Sequence, residues 1–184
     1  MNLLKFEDYK VIISPEALAL VPFRKIWNRD RSQSKDRAIS EIAYIYFMVD
    51  PRSDYQYLID QDDRHKAIVE GEGFPEGWKP DKLIQEAMEL YEGFKTSAAL
   101  VLEDTRTAVD NLRKFLREID LNKEDDKGRL VYTISSVTSA LKQIPGLIKD
   151  LIEAEKAVNK EMAEHGGKVR GQKAKKIMED GIQL

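Results

Sequence analysis

The feature that most constrains this chain is a run of apolar residues spaced alternately three and four apart through its middle third. Ile84, Ala87, Tyr91, Phe94, Ala98, Val101, Thr105, Ala108, Leu112, Phe115 and Ile119 keep that spacing throughout. After a polar interval a second run follows: Leu130, Ile134, Val137, Leu141, Ile144, Ile148 and Leu151, then Val158 and Met162. An α-helix places such positions on one face, so each run predicts a long helix with one stripe to bury. The first helix is expected over about Lys82 to Leu121, started by Asp81 and spanning on the order of 60 Å. The turn is Asn122 to Gly128, and the second helix runs from about Arg129 to Glu164, before Gly166-Gly167. Pro145-Gly146 interrupts the second run, yet the spacing continues in phase, which predicts a kink within one helix.

These helices predict an all-α fold: a helical bundle built on a long antiparallel hairpin, with shorter N-terminal helices and an extended C-terminal tail. Residues 1–80 supply the short helices and loops, 81–165 the hairpin and 166–184 the basic tail, all within one structural domain. Val11 to Ile13 is a short β-compatible run. Ser14-Pro15-Glu16 reads as a helix start, because serine caps, proline suits the first turn and glutamate suits the positive end of the dipole. Pro22 limits that piece, and Phe23 to Arg31 continues as a second short helix. A further helix is expected from Ser34 to Met48, apolar nearly all round at its C-terminal end and stopped by Asp50-Pro51. Asp62 and Asp63 offer caps for a helix through Glu70. Gly71 to Pro80 is a loop, pinned to the body by Phe74 and Trp78.

Chemistry-bearing patterns are sparse. The chain has no cysteine and two histidines, His65 and His165, expected to be solvated. That excludes a disulfide framework and a thiolate zinc site, and there is no His-Glu-x-x-His pair. Asp60, Asp62 and Asp63 lack the glycine and glutamate of a calcium loop. The glycines at 71, 73 and 77 do not fit a dinucleotide fingerprint, and the serines at 135, 136 and 139 lie in a helical pattern where no nucleophile elbow forms. The reading is a protein that is not an enzyme and needs no cofactor or metal. The net charge of −3 provides no global field for nucleic acid. No apolar run reaches membrane-spanning length, so no membrane partner is expected.

The stretch from Phe23 to Tyr57 adds a resemblance. It is carried by Ile26, Arg29-Asp30-Arg31-Ser32, Lys35, Ala38, the block Ile42 to Phe47, Asp50-Pro51-Arg52-Ser53 and Tyr55. It is similar to a segment of structural proteins of large tailed bacteriophages, notably the crAss-like group, among them neck-ring and head-to-tail connector (adaptor) proteins. The resemblance implies a small helical subunit with no active site, assembled as a twelve-fold homo-oligomeric ring. Its partners would be the portal and other neck or tail proteins, with passing contact to packaged DNA. It implies a location in the virion neck or tail region after synthesis in the host cytoplasm, and a C-terminal arm reaching a neighbour. The long hairpin departs from the most compact adaptors.

A ring subunit needs two flanks that recognise each other. Trp27, Tyr55, Tyr57, Phe74 and Trp78 are candidate anchors, since aromatic residues dominate interface hot spots; the same residues also suit a core. Lys168, Arg170, Lys173, Lys175 and Lys176 make the tail basic, fit either to meet phosphates or an acidic groove, or to stand as a solvated terminus. The rival reading of the whole chain is a cytosolic helical-hairpin interaction module, a regulator or chaperone-like coiled coil.

Overall fold

The computed structural model describes residues 3–127 and 129–167. It is mostly helical, with one small sheet. Strands β1 (Leu4–Glu7) and β2 (Lys10–Ile13) pair antiparallel, Leu4 opposite Ile13 and Glu7 opposite Lys10. Asp8 and Tyr9, with φ of 50° and 61°, make the two-residue turn; left-handed turn residues match the twist of a tight hairpin. The sheet adds a β element to the all-α expectation. Val11 to Ile13 carries a strand signal, but its partner Leu4–Glu7 carries none.

Eight further elements follow: α1 (Pro15–Ala19), α2 (Val21–Arg29), α3 (Asp36–Val49), a 3₁₀ turn (Asp54–Tyr57), α4 (Gln61–Gly71), α5 (Lys82–Glu92), α6 (Ser97–Glu118) and α7 (Ile134–Gly167). Their starts follow from side chains that take up orphan amide groups. Ser14 Oγ accepts from Ala17 N at 3.2 Å, and Asp81 accepts from Ile84 N at 3.0 Å. For α4 the cap is Asp60, which accepts from both Asp62 N and Asp63 N; the two expected caps sit instead in the first turn, where a carboxylate favours the helix dipole.

Helix α3 is the axis of the N-terminal body. Ile42 and every residue from Tyr44 to Val49 are buried, covered by β2, α2, α4 and α5. The loop over 71–80 closes on the same core. Tyr44 lies 4.7 Å from Trp78 and 5.9 Å from Phe74, ring to ring, so both aromatics pin the loop as expected. Gly71 lies against the Tyr55 hydroxyl, where any side chain would collide with it.

Two expectations about the long helices need correction. The single helix over Lys82 to Leu121 is two helices. Gly93 N–H bonds to Glu89 O and ends α5, and Thr96 Oγ1 accepts from Ala99 N at 3.3 Å and starts α6. The apolar spacing runs through the break in phase, which is why periodicity alone joins the two. Helix α5 then packs on α2 and α3. The second helix begins at Ile134, not Arg129, after a loop closed by a bridge between Glu124 and Leu130. Thr133 and Ser136 exchange backbone-to-hydroxyl bonds at 3.1 Å and build the start of α7. Helix α7 runs uninterrupted through Pro145 and also through Gly166 and Gly167, where the described residues end.

The buried seam between α6 and α7 is also rotated from the expected one. On α7 the half-buried or buried apolar residues up to position 161 are Val137, Ala140, Ile144, Leu147, Leu151, Ala154 and Val158, and Glu155 and Glu161 are half-buried beside them. Ile134, Leu141 and Ile148 are 78%, 50% and 47% exposed. On α6, Leu102 is buried with Ala99, while Val101 and Ala108 are exposed. Each helix thus carries three apolar columns. The expected seam and the observed one share a column and differ in which neighbour joins it.

Candidate interaction surfaces

The residues that carry the phage resemblance are used mainly inside the body. Asp30 Oδ1 accepts from Ser32 N at 2.9 Å and Ser32 Oγ at 2.7 Å, and Oδ2 from Ala38 N at 3.0 Å. These hydrogen bonds, led by the Ser32 hydroxyl, hold the Asp30 carboxyl down at about 2. Lys35 adopts a left-handed backbone with φ of 58°, donates to the Asp30 and Trp27 carbonyls and lies 5.9 Å over the Trp27 ring. The Arg-Asp-Arg-Ser stretch is therefore the corner joining α2 to α3.

At the other end of α3, the orphan carbonyls of a buried helix terminus need donors. Phe47 O accepts from Ser53 Oγ at 3.0 Å, and Met48 O from Gln56 Nε2 and Arg64 Nη1, both at 3.0 Å. Asp50, 2% exposed, accepts from Arg52 Nε at 2.8 Å and Nη2 at 2.7 Å, and from Tyr91 Oη at 2.7 Å. Arg52 also donates to Leu4 O at 2.9 Å and ties the sheet to this end. Burial alone would lower the Arg52 pKa, but the Asp50 carboxylate outweighs it and holds the guanidinium above its ordinary value. Tyr91 is pushed up by burial first and by the Asp50 charge second. Arg106 of α6 donates to Pro51 O at 2.9 Å and reaches Glu155 of α7 at 3.4 Å. Arginines from three separate segments thus converge on the negative end of the α3 dipole. The described polar groups of this girdle are bonded to one another, the arrangement of a clamp that holds segments together.

The candidate anchors divide. Trp27, Tyr55, Phe74 and Trp78 are partly buried against the body core. Tyr55 packs 5.3 Å from Phe47 and donates to Glu72 Oε1 at 2.8 Å. Tyr57 is 72% exposed. It borders a cleft of about 360 Å³ between the 3₁₀ turn and the α6–α7 pair, with Arg106, Asp110, Arg113, Leu151 and Glu155. A second cleft of about 480 Å³ is lined by Met48, Arg64, Met88, Glu92, Glu103 and Arg106. His65 is not simply solvated: its Nδ1 lies 2.8 Å from Tyr44 Oη and its ring stacks near Trp78. The side chain of His165, and Lys168, Arg170, Lys173, Lys175 and Lys176, lie outside the described residues. Among the described residues no three His, Asp or Glu side chains gather to hold a metal, and no helix is long and apolar enough to cross a membrane.

The second region is the α6–α7 pair, whose buried cluster is Ala99, Leu102, Ala154 and Val158. Beyond that cluster and the half-buried residues around it, two columns stand open: Ile134, Leu141 and Ile148 on α7, and Val101 and Ala108 on α6, where the next member, Phe115, is half-buried against Tyr132. No family model matches this chain, and no curated protein or solved structure is significantly similar to it. The surface residues that sequence reasoning misplaced are those of the open columns. The available signal was the third apolar column itself, one more than a two-helix seam needs.

Proposed function

We propose that this chain is a virion structural protein of a tailed bacteriophage, a head-to-tail connector or neck-ring subunit that links portal to tail through protein–protein contacts. In this reading it is a helical bundle built on a long antiparallel hairpin, made in the host cytoplasm and assembled as a twelve-fold ring. Portal and other neck or tail proteins are its partners. The observation that carries the proposal is the contrast in burial. The body closes a dense core of its own, whereas the pair leaves apolar columns open over Ile134 to Ile148 on α7 and over Val101 to Ala108 on α6. A surface of that kind serves contact with another chain. The resemblance of Phe23 to Tyr57 supplies the class of assembly.

The test is the mass of the purified full chain, alone and mixed with the portal protein of the same phage. A ring-sized species, or a stable complex with portal, is the expected result. A monomer indifferent to portal overturns the reading. Copy number in purified virions separates it from a cytosolic interaction module, which is absent from the particle.

A further inference from the structure

The two open columns lie on opposite faces of the helix pair, and this follows from contacts within the chain. Arg106 bonds both the body, at Pro51 O, and Glu155 of α7. Glu155 continues the column Ile134, Leu141, Ile148 at seven-residue spacing, so that column shares the face on which the body sits. On α6, Ala99, Arg106 and Arg113 form the column that faces the body. Val101 and Ala108 stand two residues further on, roughly 160° around the helix, and so occupy the opposite face.

The outer side of each open column carries charge of one prevailing sign, although Lys149 is paired with Glu153 on α7 and Lys114 with Asp110 on α6. On α7, exposed Lys142, Lys149 and Lys156 follow at seven-residue spacing. On α6 the equivalent row is Asp104, Asn111 and Glu118, also exposed. The chain therefore presents an apolar-and-basic edge on one side and an apolar-and-acidic edge on the other. A dimer with a two-fold axis would place like against like. Opposed, complementary edges instead suit repetition in one direction.

Resting on the ring reading above, we propose that the α7 edge of one copy docks head-to-tail against the α6 edge of a second copy, the pairs standing side by side along the ring axis. A closed ring has no axial rise, so residues level within one chain stay level between neighbours. In the register set by Arg106 and Glu155, Lys142 then meets Glu118 and Lys156 meets Asp104. Ile152, 45% exposed, falls over the small Ala108. Large-over-small packing with opposite charges at the rim is the anatomy of a specific interface.

The test uses two full-length charge-reversed chains, one carrying K142E and K156E, the other D104K and E118K. The wild-type chain self-associates. Each variant alone associates roughly tenfold or more weakly, because like charges then face each other across every contact. Mixing the two restores association, as does the chain carrying all four changes, which also shows that the substituted surfaces still fold. If wild type assembles and the reversals leave its mass distribution unchanged, this interface is wrong while the ring reading stands. If wild type remains a monomer, with or without portal, both are overturned.

Discussion

The N-terminal body and the α6–α7 pair are built on opposite terms. The body buries eighteen apolar residues in one cluster and closes both ends of α3 with side chains. The pair buries four in its own cluster, yet it contains the two longest helices. One region is completed by its own residues; the other has helix enough to be ordered but too little partner to cover it. Most helix stability comes from burying an amphipathic face, not from propensity, so the pair is held less firmly by its own contacts than the body is.

The comparison breaks most visibly at Asp50. Asp50→Ala leaves the half-buried Arg52 guanidinium and the buried Tyr91 hydroxyl without their shared acceptor, and is expected to destabilise the body by about 3 kcal/mol. Denaturant unfolding followed by tyrosine and tryptophan fluorescence reads this; a loss below about 1 kcal/mol would show that the clamp is not structural.

In the pair, Leu102→Ala removes the largest side chain of its small cluster. The expected loss is about 2 kcal/mol, the low end for a buried leucine, because the neighbouring turns are open and can relax. Amide hydrogen exchange should quicken in α6 and α7 while α3 stays protected. Equal quickening in both regions would contradict their independence.

Acid should act on the body through Asp30. Its pKa of about 2 in the fold lies below the ordinary 3.8. A carboxylate depressed in this way contributes stability that is complete above about pH 4 and is lost as pH falls toward 2. Denaturation midpoints measured between pH 5 and pH 2 should fall for wild type, and fall less for Asp30→Asn.

The smallest effect on the monomer belongs to Leu141→Ser on the open α7 column. Half exposed already, it should change monomer stability by no more than about 0.5 kcal/mol, while weakening any self-association seen by sedimentation. A large loss of monomer stability would place Leu141 in the intramolecular seam.

Much of the helical layout was legible because capping and turn chemistry are local. Ser14, Asp81 and Pro51 mark boundaries that the fold keeps. The break at Gly93 to Thr96 was not, because the apolar spacing is the same whether the helix continues or restarts. Nor was the seam. Three adjacent columns are apolar on each long helix, and only the approach of the body through Pro51 and Arg106 decides which two face inward. Of the candidate anchors, Tyr57 stands well exposed, and the other four aromatics lie against the core because α3 presents apolar surface in all directions.

The central claim is that the open edges of the pair meet between copies, and the absence of cysteine from the chain allows a direct measurement. Full-length protein carrying both Ile152→Cys and Ala108→Cys is oxidised and run under denaturing, non-reducing conditions. Because the two positions lie on opposite faces of one pair, they cannot join within a copy. The account predicts a ladder of covalent multimers ending at the ring size, with each single-cysteine chain alone giving no ladder. Monomer throughout, under conditions where the wild-type chain is assembled, would contradict it.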